Sequence, residues 1–377
     1  MQVNNTILPS PCYVCEESLL ESNLKLLEHI QEQTGVKILL ALKGFAMHST
    51  FDMCKKYLKG CCASGLNEAI LAYEKFGGEV HTYSPAFKPN EFDQIASISN
   101  HIVFNSHAQY DLYKDKILDK NSIGLRINPQ YSTVEVDLYN PCGINSRLGI
   151  KKENFKPEYI AKIDGLHFHA LCEQNVDALI GVLGRFEEDF GQYFKDIKWI
   201  NFGGGHHITR DDYDVKSLIK LLKEFKEKYP HLDIYMEPGE AIGWRTGYLE
   251  STVLDIVDNG MKIAILDTSA EAHMPDTLAM PYKADIRDAS SDPKEKQYTY
   301  RLGGNTCLAG DIIGDYSFDK ELEVGDKIIL EDMIHYTMVK TTTFNGINLP
   351  SIAIKRKDGT IEVVKDYGYE DYMCRLS

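Results

Sequence analysis

The sequence reads as an α/β chain: a (β/α)8 barrel over residues 16–245, then a mainly β second domain over residues 246–377, which residues 1–15 join. Three observations carry this reading. Short β-branched or apolar runs alternate with longer amphipathic stretches through the first two-thirds of the chain. About eight such strand–helix units fit the stretch, the size of a closed barrel. After residue 245 the texture changes to strand-like segments punctuated by Gly, Asp and Asn.

Taken in order, the expected barrel strands are VKILLAL (36–42), EVHTY (79–83), HIVFN (101–105), SIGLRIN (122–128), IDGLHFHAL (163–171), KWINFGGG (198–205) and LDIYME (232–237). Between them, segments 49–59, 65–76, 88–98, 106–118, 174–195 and 213–229 repeat apolar residues at three- and four-residue spacing, as in Leu218, Leu221, Leu222 and Phe225. Repeats of this kind imply a parallel sheet covered by helices. In the second domain YLESTVLDIVDN, MKIAILDTS, QYTYRLGG, DKIILEDM and SIAIKRKDGTIEVVKD are strand-like, and Asp358-Gly359 signals a hairpin. A chain of 377 residues is long enough for both domains to bury cores.

The net charge of -15 argues against nucleic acid or an anionic membrane as partner and is compatible with a cationic substrate. No run reaches the roughly 18 apolar residues of a membrane span. The N-terminus MQVNNTILPSPCYVC lacks the features of a signal peptide, so a cytoplasmic home is expected. The 9 cysteines are an odd, scattered set that suits reduced thiols. Cys12-x-x-Cys15 stands without a second pair at ligand spacing, and no metal is expected.

Reactive groups of a (β/α)8 barrel sit where its strands end. Lys43 follows VKILLAL, Arg126 lies late in SIGLRIN, and His169 closes the run from Ile163. Gly203-Gly204-Gly205 follows KWINF, and Glu237 follows LDIYM. Singly, each has an ordinary explanation: a snorkelling lysine, a core histidine, a flexible turn, a surface acid. Together on one rim they form a site. A desolvated lysine can bond covalently to a carbonyl. A glycine trio offers backbone N–H groups to an anion, an imidazole can stack on a flat cofactor, and a carboxylate can pair with a protonated ring nitrogen.

These segments resemble the fold-type III pyridoxal-phosphate decarboxylases, the group of ornithine and diaminopimelate decarboxylases, over nearly the whole chain. ALKGF is similar to the family's cofactor-lysine segment, LHFHAL to its stacking histidine and FGGGH to its phosphate loop. LEDMIHYTMVKTTTFNGINLPS is similar to the closing segment whose tyrosine, here Tyr336, reaches the phosphate, and GGNTCLAGD to the catalytic-cysteine loop, here Cys307. The resemblance implies an alanine-racemase-like barrel and pyridoxal 5'-phosphate bonded to Lys43. It also implies Arg126 on the phenolic side of the ring, Glu237 at the ring nitrogen, and a homodimer in which Cys307 of one chain reprotonates the α-carbon at the other's active site.

Within the group, SAEAHMPDTLAMPY (269–282), EPGEA and NTCLAGD look most like the branch that decarboxylates carboxynorspermidine and carboxyspermidine in polyamine biosynthesis. The chain departs from the wider pattern at Glu240, where arginine is usual, and in the Ala-Leu-Cys after His169, where glycine and serine are usual. The resemblance therefore implies a substrate role for Glu240 and Asp276, with Asp311 and Asp315 as weaker candidates for the distal ammonium. The alternatives are a decarboxylase of diaminopimelate or another basic amino acid, an amino-acid racemase, and an inactive partner-binding homologue.

Overall fold

The structure is a computed structural model that describes residues 8–280 and 282–377. Ser22–Ile242 forms one compact unit; Met1–Glu21 and Gly243–Ser377 form the other. Of the stretch 1–15 assigned to the second domain, residues 1–7 lie outside the described residues. No helix among the described residues is long and apolar enough to cross a membrane.

Among the described residues the first elements are strand β1 (Cys12–Glu16) and helix α1 (Glu17–Thr34). The barrel strands follow: β2 (Lys37–Ala41), β3 (Gly60–Ala63), β4 (Glu79–Ser84), β5 (His101–Phe104), β6 (Ser122–Asn128), β8 (Gly165–His167), β9 (Trp199–Asn201) and β10 (Asp233–Met236). A short β7 (Ile150–Lys151) pairs beside β6. The order β5-β4-β3-β2-β10-β9-β8-β6 closes through a β5–β6 pairing, so the predicted eight-stranded parallel barrel is present. The sequence pattern supplied seven of its strands. The eighth, β3, is only Gly-Cys-Cys-Ala, too short to display a period.

Helices α2 (Phe51–Tyr57), α3 (Leu66–Leu71), α4 (Phe92–Ile98), α5 (His107–Tyr113), α6 (Val176–Phe190) and α7 (Val215–Lys228) lie between these strands in the chain. On α7 the buried residues are Leu218, Leu222 and Phe225, the apolar stripe read from the sequence. The stretch expected as one helix over 174–195 changes to a 3-10 helix at Gly191, a weak helix former.

Side chains alternate across each strand, so every second residue enters the barrel. Leu39, Val103, Trp199 and Tyr235, from four different strands, pack into one interior layer. Trp199 fits because two neighbours are glycines. A Cβ at Gly165 would lie 2.1 Å from its indole, and one at Gly124 2.4 Å. The same alternation carries Arg126, His167, Asn201 and Glu237 one step nearer the strands' C-terminal ends.

The second unit contains β1, β11 (Gly247–Asp258), β12 (Lys262–Leu266), β13 (Ala289–Ser290), β14 (Tyr298–Gly303), β15 (Ile312–Phe318), β16 (Lys327–Glu331), β17 (Ser351–Lys355) and β18 (Ile361–Lys365). They form one sheet, in which β1 runs antiparallel to β11 and parallel to β17. Cys12, Val14, Tyr248 and Ala353 make a core cluster there, which accounts for Cys12 as a buried apolar residue. The Asp358-Gly359 signal is the β17–β18 hairpin turn, with Gly359 at φ +86°. Strand β15 was not among those read from the sequence, because its first residues continue the Cys307 segment.

Candidate active site

Lys43 follows the end of β2 by two residues. Its surface reaches solvent, yet enough protein surrounds the ammonium that burial, reinforced by the Arg126 guanidinium, holds it below its ordinary value. Gly44 beside it packs onto the Gly239–Glu240 backbone so closely that a Cβ would lie 2.9 Å from the Glu240 nitrogen. Glu240, the first residue of α8 (Glu240–Gly243), is thereby set against the Lys43 segment.

His169 lies two residues beyond β8. The Gly204 N–H donates to its Nδ1 at 3.0 Å, which leaves the ring proton on Nε2. Burial, together with the charges of Lys43 and Arg126, holds this imidazole well below its ordinary value, and it stays neutral. Arg126 Nη2 donates to the His169 carbonyl at 3.2 Å, and its guanidinium carbon lies 4.6 Å from the centre of the Tyr83 ring.

Glu237 follows β10. Burial disfavours its charge, but the imidazoles of His167 and His81 and the Asn201 amide outweigh it and hold the carboxyl down at about 2. Asn201 Nδ2 donates to Oε1 at 2.7 Å. His167 Nε2 lies 3.4 Å from Oε2 but off the line of a hydrogen bond. Burial lowers His167 itself, against the opposing pull of the Glu237 carboxylate, so the two form a coupled pair.

The glycine trio forms a turn with Gly203 at φ +65° and Gly205 at φ +83°. Added Cβ atoms would come within 2.3 Å of the Phe168 carbonyl oxygen at Gly203, 2.4 Å of the Glu237 carbonyl oxygen at Gly204 and 2.0 Å of the Leu171 carbonyl oxygen at Gly205. The row of bare N–H groups expected from the sequence is partly committed. Gly203 donates to Asn201 Oδ1 and Gly204 to His169. Gly205 is the member that neither contact uses.

In the second unit, Asp276 is buried and accepts on Oδ2 from Tyr282 and Thr337 hydroxyls, both at 2.8 Å. Its Oδ1 is buried without a hydrogen-bond partner. Tyr336 opens a short helix, Tyr336–Val339, and Cys307 is exposed, its N–H donating to Asn345 Oδ1 at 2.7 Å.

Asp311 and Asp315 are occupied differently from the expectation. Asp311 is 2% exposed and accepts from Ser269 Oγ (2.9 Å), the Ala270 and Glu271 amides (2.7 and 3.3 Å), and the Thr306 amide and hydroxyl (3.1 and 2.6 Å). Asp315 sits opposite Arg301 in the β14–β15 register and binds its guanidinium through both oxygens, at 2.7 and 3.0 Å. Both carboxylates are thus engaged within the chain, Asp311 by five donors and Asp315 by one guanidinium.

Four residues next to Lys43, Arg126 or Glu237 were absent from the sequence-derived set: Cys62, close enough to act on the Lys43 ammonium, and Tyr83, His167 and Asn201. His167 and Asn201 stand two residues before His169 and Gly203, so alternation back along each strand would have found them. Cys62 lies on the strand that had no readable period.

A family model described as pyridoxal-dependent decarboxylase, C-terminal sheet domain, matches residues 12–334. The chain is 50% identical to a carboxynorspermidine/carboxyspermidine decarboxylase of Campylobacter jejuni, over 98% of each protein. It is 47% identical to a carboxyaminopropylagmatine decarboxylase of Synechocystis sp., over 98% of this chain and 96% of the relative. A crystal structure of carboxynorspermidine decarboxylase from Campylobacter jejuni complexed with norspermidine superposes with a TM-score of 0.92 at 49% identity, covering 98% of this chain and 100% of the other.

Proposed function

The chain belongs to the pyridoxal-dependent decarboxylase family, and from that premise we propose that it decarboxylates carboxynorspermidine and carboxyspermidine. The observation that carries the reading is a trio at the strand ends of one barrel: Lys43 two residues past β2, Glu237 just past β10 with the Asn201 amide on its Oε1, and His169 held through Nδ1 by the Gly204 N–H. This donor set fits pyridoxal 5'-phosphate. Lys43 offers an amine for covalent attachment, Glu237 a carboxylate for the ring nitrogen, His169 a flat uncharged face and Arg126 a donor for the phenolic side. Gly205 and Tyr336 would hold the phosphate. Bound there, the cofactor would supply the sink for the electron pair left on the α-carbon when carbon dioxide departs.

The protein's own residues do the rest. Glu237 keeps a proton on the ring nitrogen, and neutral His169 adds no positive charge to compete with it. Cys307 of the partner chain in a cytoplasmic homodimer delivers its Sγ proton to the carbon that lost the carboxylate. Glu240 and Asp276 take the substrate's ammonium groups through charge-assisted hydrogen bonds. Asp276 favours an ammonium over a guanidinium, because a guanidinium fork needs two acceptors and this carboxylate has one oxygen uncommitted. That contrast supports a polyamine substrate over one ending in a guanidino group.

Borohydride trapping with pyridoxal phosphate, followed by peptide mapping, tests the assignment. The label is expected on Lys43 and absent from Lys43→Ala; a label elsewhere overturns it. Steady-state rates should favour carboxynorspermidine and carboxyspermidine over carboxyaminopropylagmatine, diaminopimelate and ornithine. The reverse order would replace the substrate.

A further inference from the structure

Asn201 ends β9 and is 1% exposed. Its side chain closes a ring of three hydrogen bonds. The Gly203 N–H donates to its Oδ1 at 2.8 Å, its Nδ2 donates to Glu237 Oε1 at 2.7 Å, and the Glu237 N–H donates to the Gly203 carbonyl at 2.8 Å. The two partners fix the amide's orientation, because only its oxygen can accept an N–H and only its nitrogen can donate to a carboxylate. The next amide, that of Gly204, holds His169 by its Nδ1. One buried side chain thus links the carboxylate, the glycine turn and, through one further residue, the imidazole.

We propose that Asn201 is a positioning residue that aims the Glu237 carboxylate and keeps it ionised. The inference deepens the proposed function, since it rests on Glu237 being the partner of the cofactor's ring nitrogen. Glu237 meets the Asn201 amide on one oxygen and only the off-line His167 on the other. Asn201 is therefore the neutral donor that fixes its rotation without supplying a proton. Aspartate here would still accept from Gly203. Its second oxygen, however, would stand where Nδ2 now lies, 2.7 Å from Oε1, and two carboxylates at that spacing share a proton. The ring nitrogen would then lose its ionised partner while the glycine turn stayed in place.

The test uses the holoenzyme with Asn201→Asp and Asn201→Ala, each checked for folding by its circular dichroism and melting. The readout that needs no turnover is the 15N shift of ring-labelled pyridoxal phosphate bound to each protein, followed against pH. In the parent the ring nitrogen should read protonated throughout the working range. In N201D that signal should become pH-dependent, with kcat reduced on the order of 10–100-fold and KM little changed. N201A, which loses both contacts, should in addition bind the cofactor about tenfold more weakly, one net hydrogen bond's worth.

If N201D fails to fold, Asn201→Ala, which removes the donor to Glu237 Oε1, is read for a weakened ring-nitrogen protonation and a reduced kcat. A parent-like, pH-independent shift with parent-like kcat in the folded variant overturns the proposal. Failure of the parent itself to trap pyridoxal phosphate on Lys43 would instead overturn the function on which the proposal rests.

Discussion

Asp276 and Glu237 are both buried acids, but their surroundings ask different things of them. Around Glu237 burial disfavours the charge, but the His167 and His81 imidazoles and the Asn201 amide outweigh it and hold the carboxyl down at about 2. Asp276 has two hydroxyl donors on one oxygen and none on the other, which leaves Oδ1 for the ammonium N–H proposed above. Asp276→Asn should therefore raise KM about 10–100-fold, the worth of one hydrogen bond to a charged group, with kcat nearly unchanged. Equal loss in kcat and kcat/KM would place the residue in the chemistry instead. Gly204→Ala belongs to the same scale. Its Cβ would lie 2.4 Å from the Glu237 carbonyl oxygen and 3.1 Å from His169 Cε1. Cofactor affinity, measured by titration of absorbance, should fall; retention of parent affinity would show that the turn can yield.

At the scale of elements, Asp311 holds together the turn after β14 and the start of the helix Ala270–His273 through five donors. Asp311→Ala strands those donors, and the midpoint of urea unfolding should drop by the equivalent of about 2–4 kcal/mol. A loss under 1 kcal/mol would mean that solvent replaces the carboxylate. The same residue shows what the sequence can and cannot convey. Lys43, His169, the glycine trio and Glu237 were legible because strand ends place them, and a strand end can be read from a seven-residue pattern. The partners of Asp311 and Asp315 were not legible, because an acid's partner is invisible in the chain. Ser269 and Arg301 become their neighbours only through the pairing of β12, β14 and β15. Strand β3 escaped notice for a related reason: four residues between helices have no period, so the sheet rather than the segment defines them.

For the whole molecule, acid should act first through buried imidazoles. Burial holds His206 at about 4 and His101 at about 3, against an ordinary 6.5. The unfolded chain takes these protons as pH falls below 6.5 and the folded chain refuses them. Their stabilising effect is complete above 6.5 and declines toward 4, by about 3 kcal/mol for His206 alone. Melting temperature should fall across that window, and His101→Asn should flatten part of the slope; a level curve would contradict the burial argument. The proposed homodimer has its own test. Lys43→Ala and Cys307→Ala are each expected to be inactive, and co-refolding them should restore about a quarter of parental activity if each centre draws on both chains. No recovery would confine Cys307 to its own chain. Finally, the indole of Trp199 and the bare α-carbons at 124 and 165 amount to one inherited unit written at three distant places. A sister sequence that gains a methyl at either glycine should carry a slimmer ring at 199, and a lineage altering only one of the three would be selecting against itself.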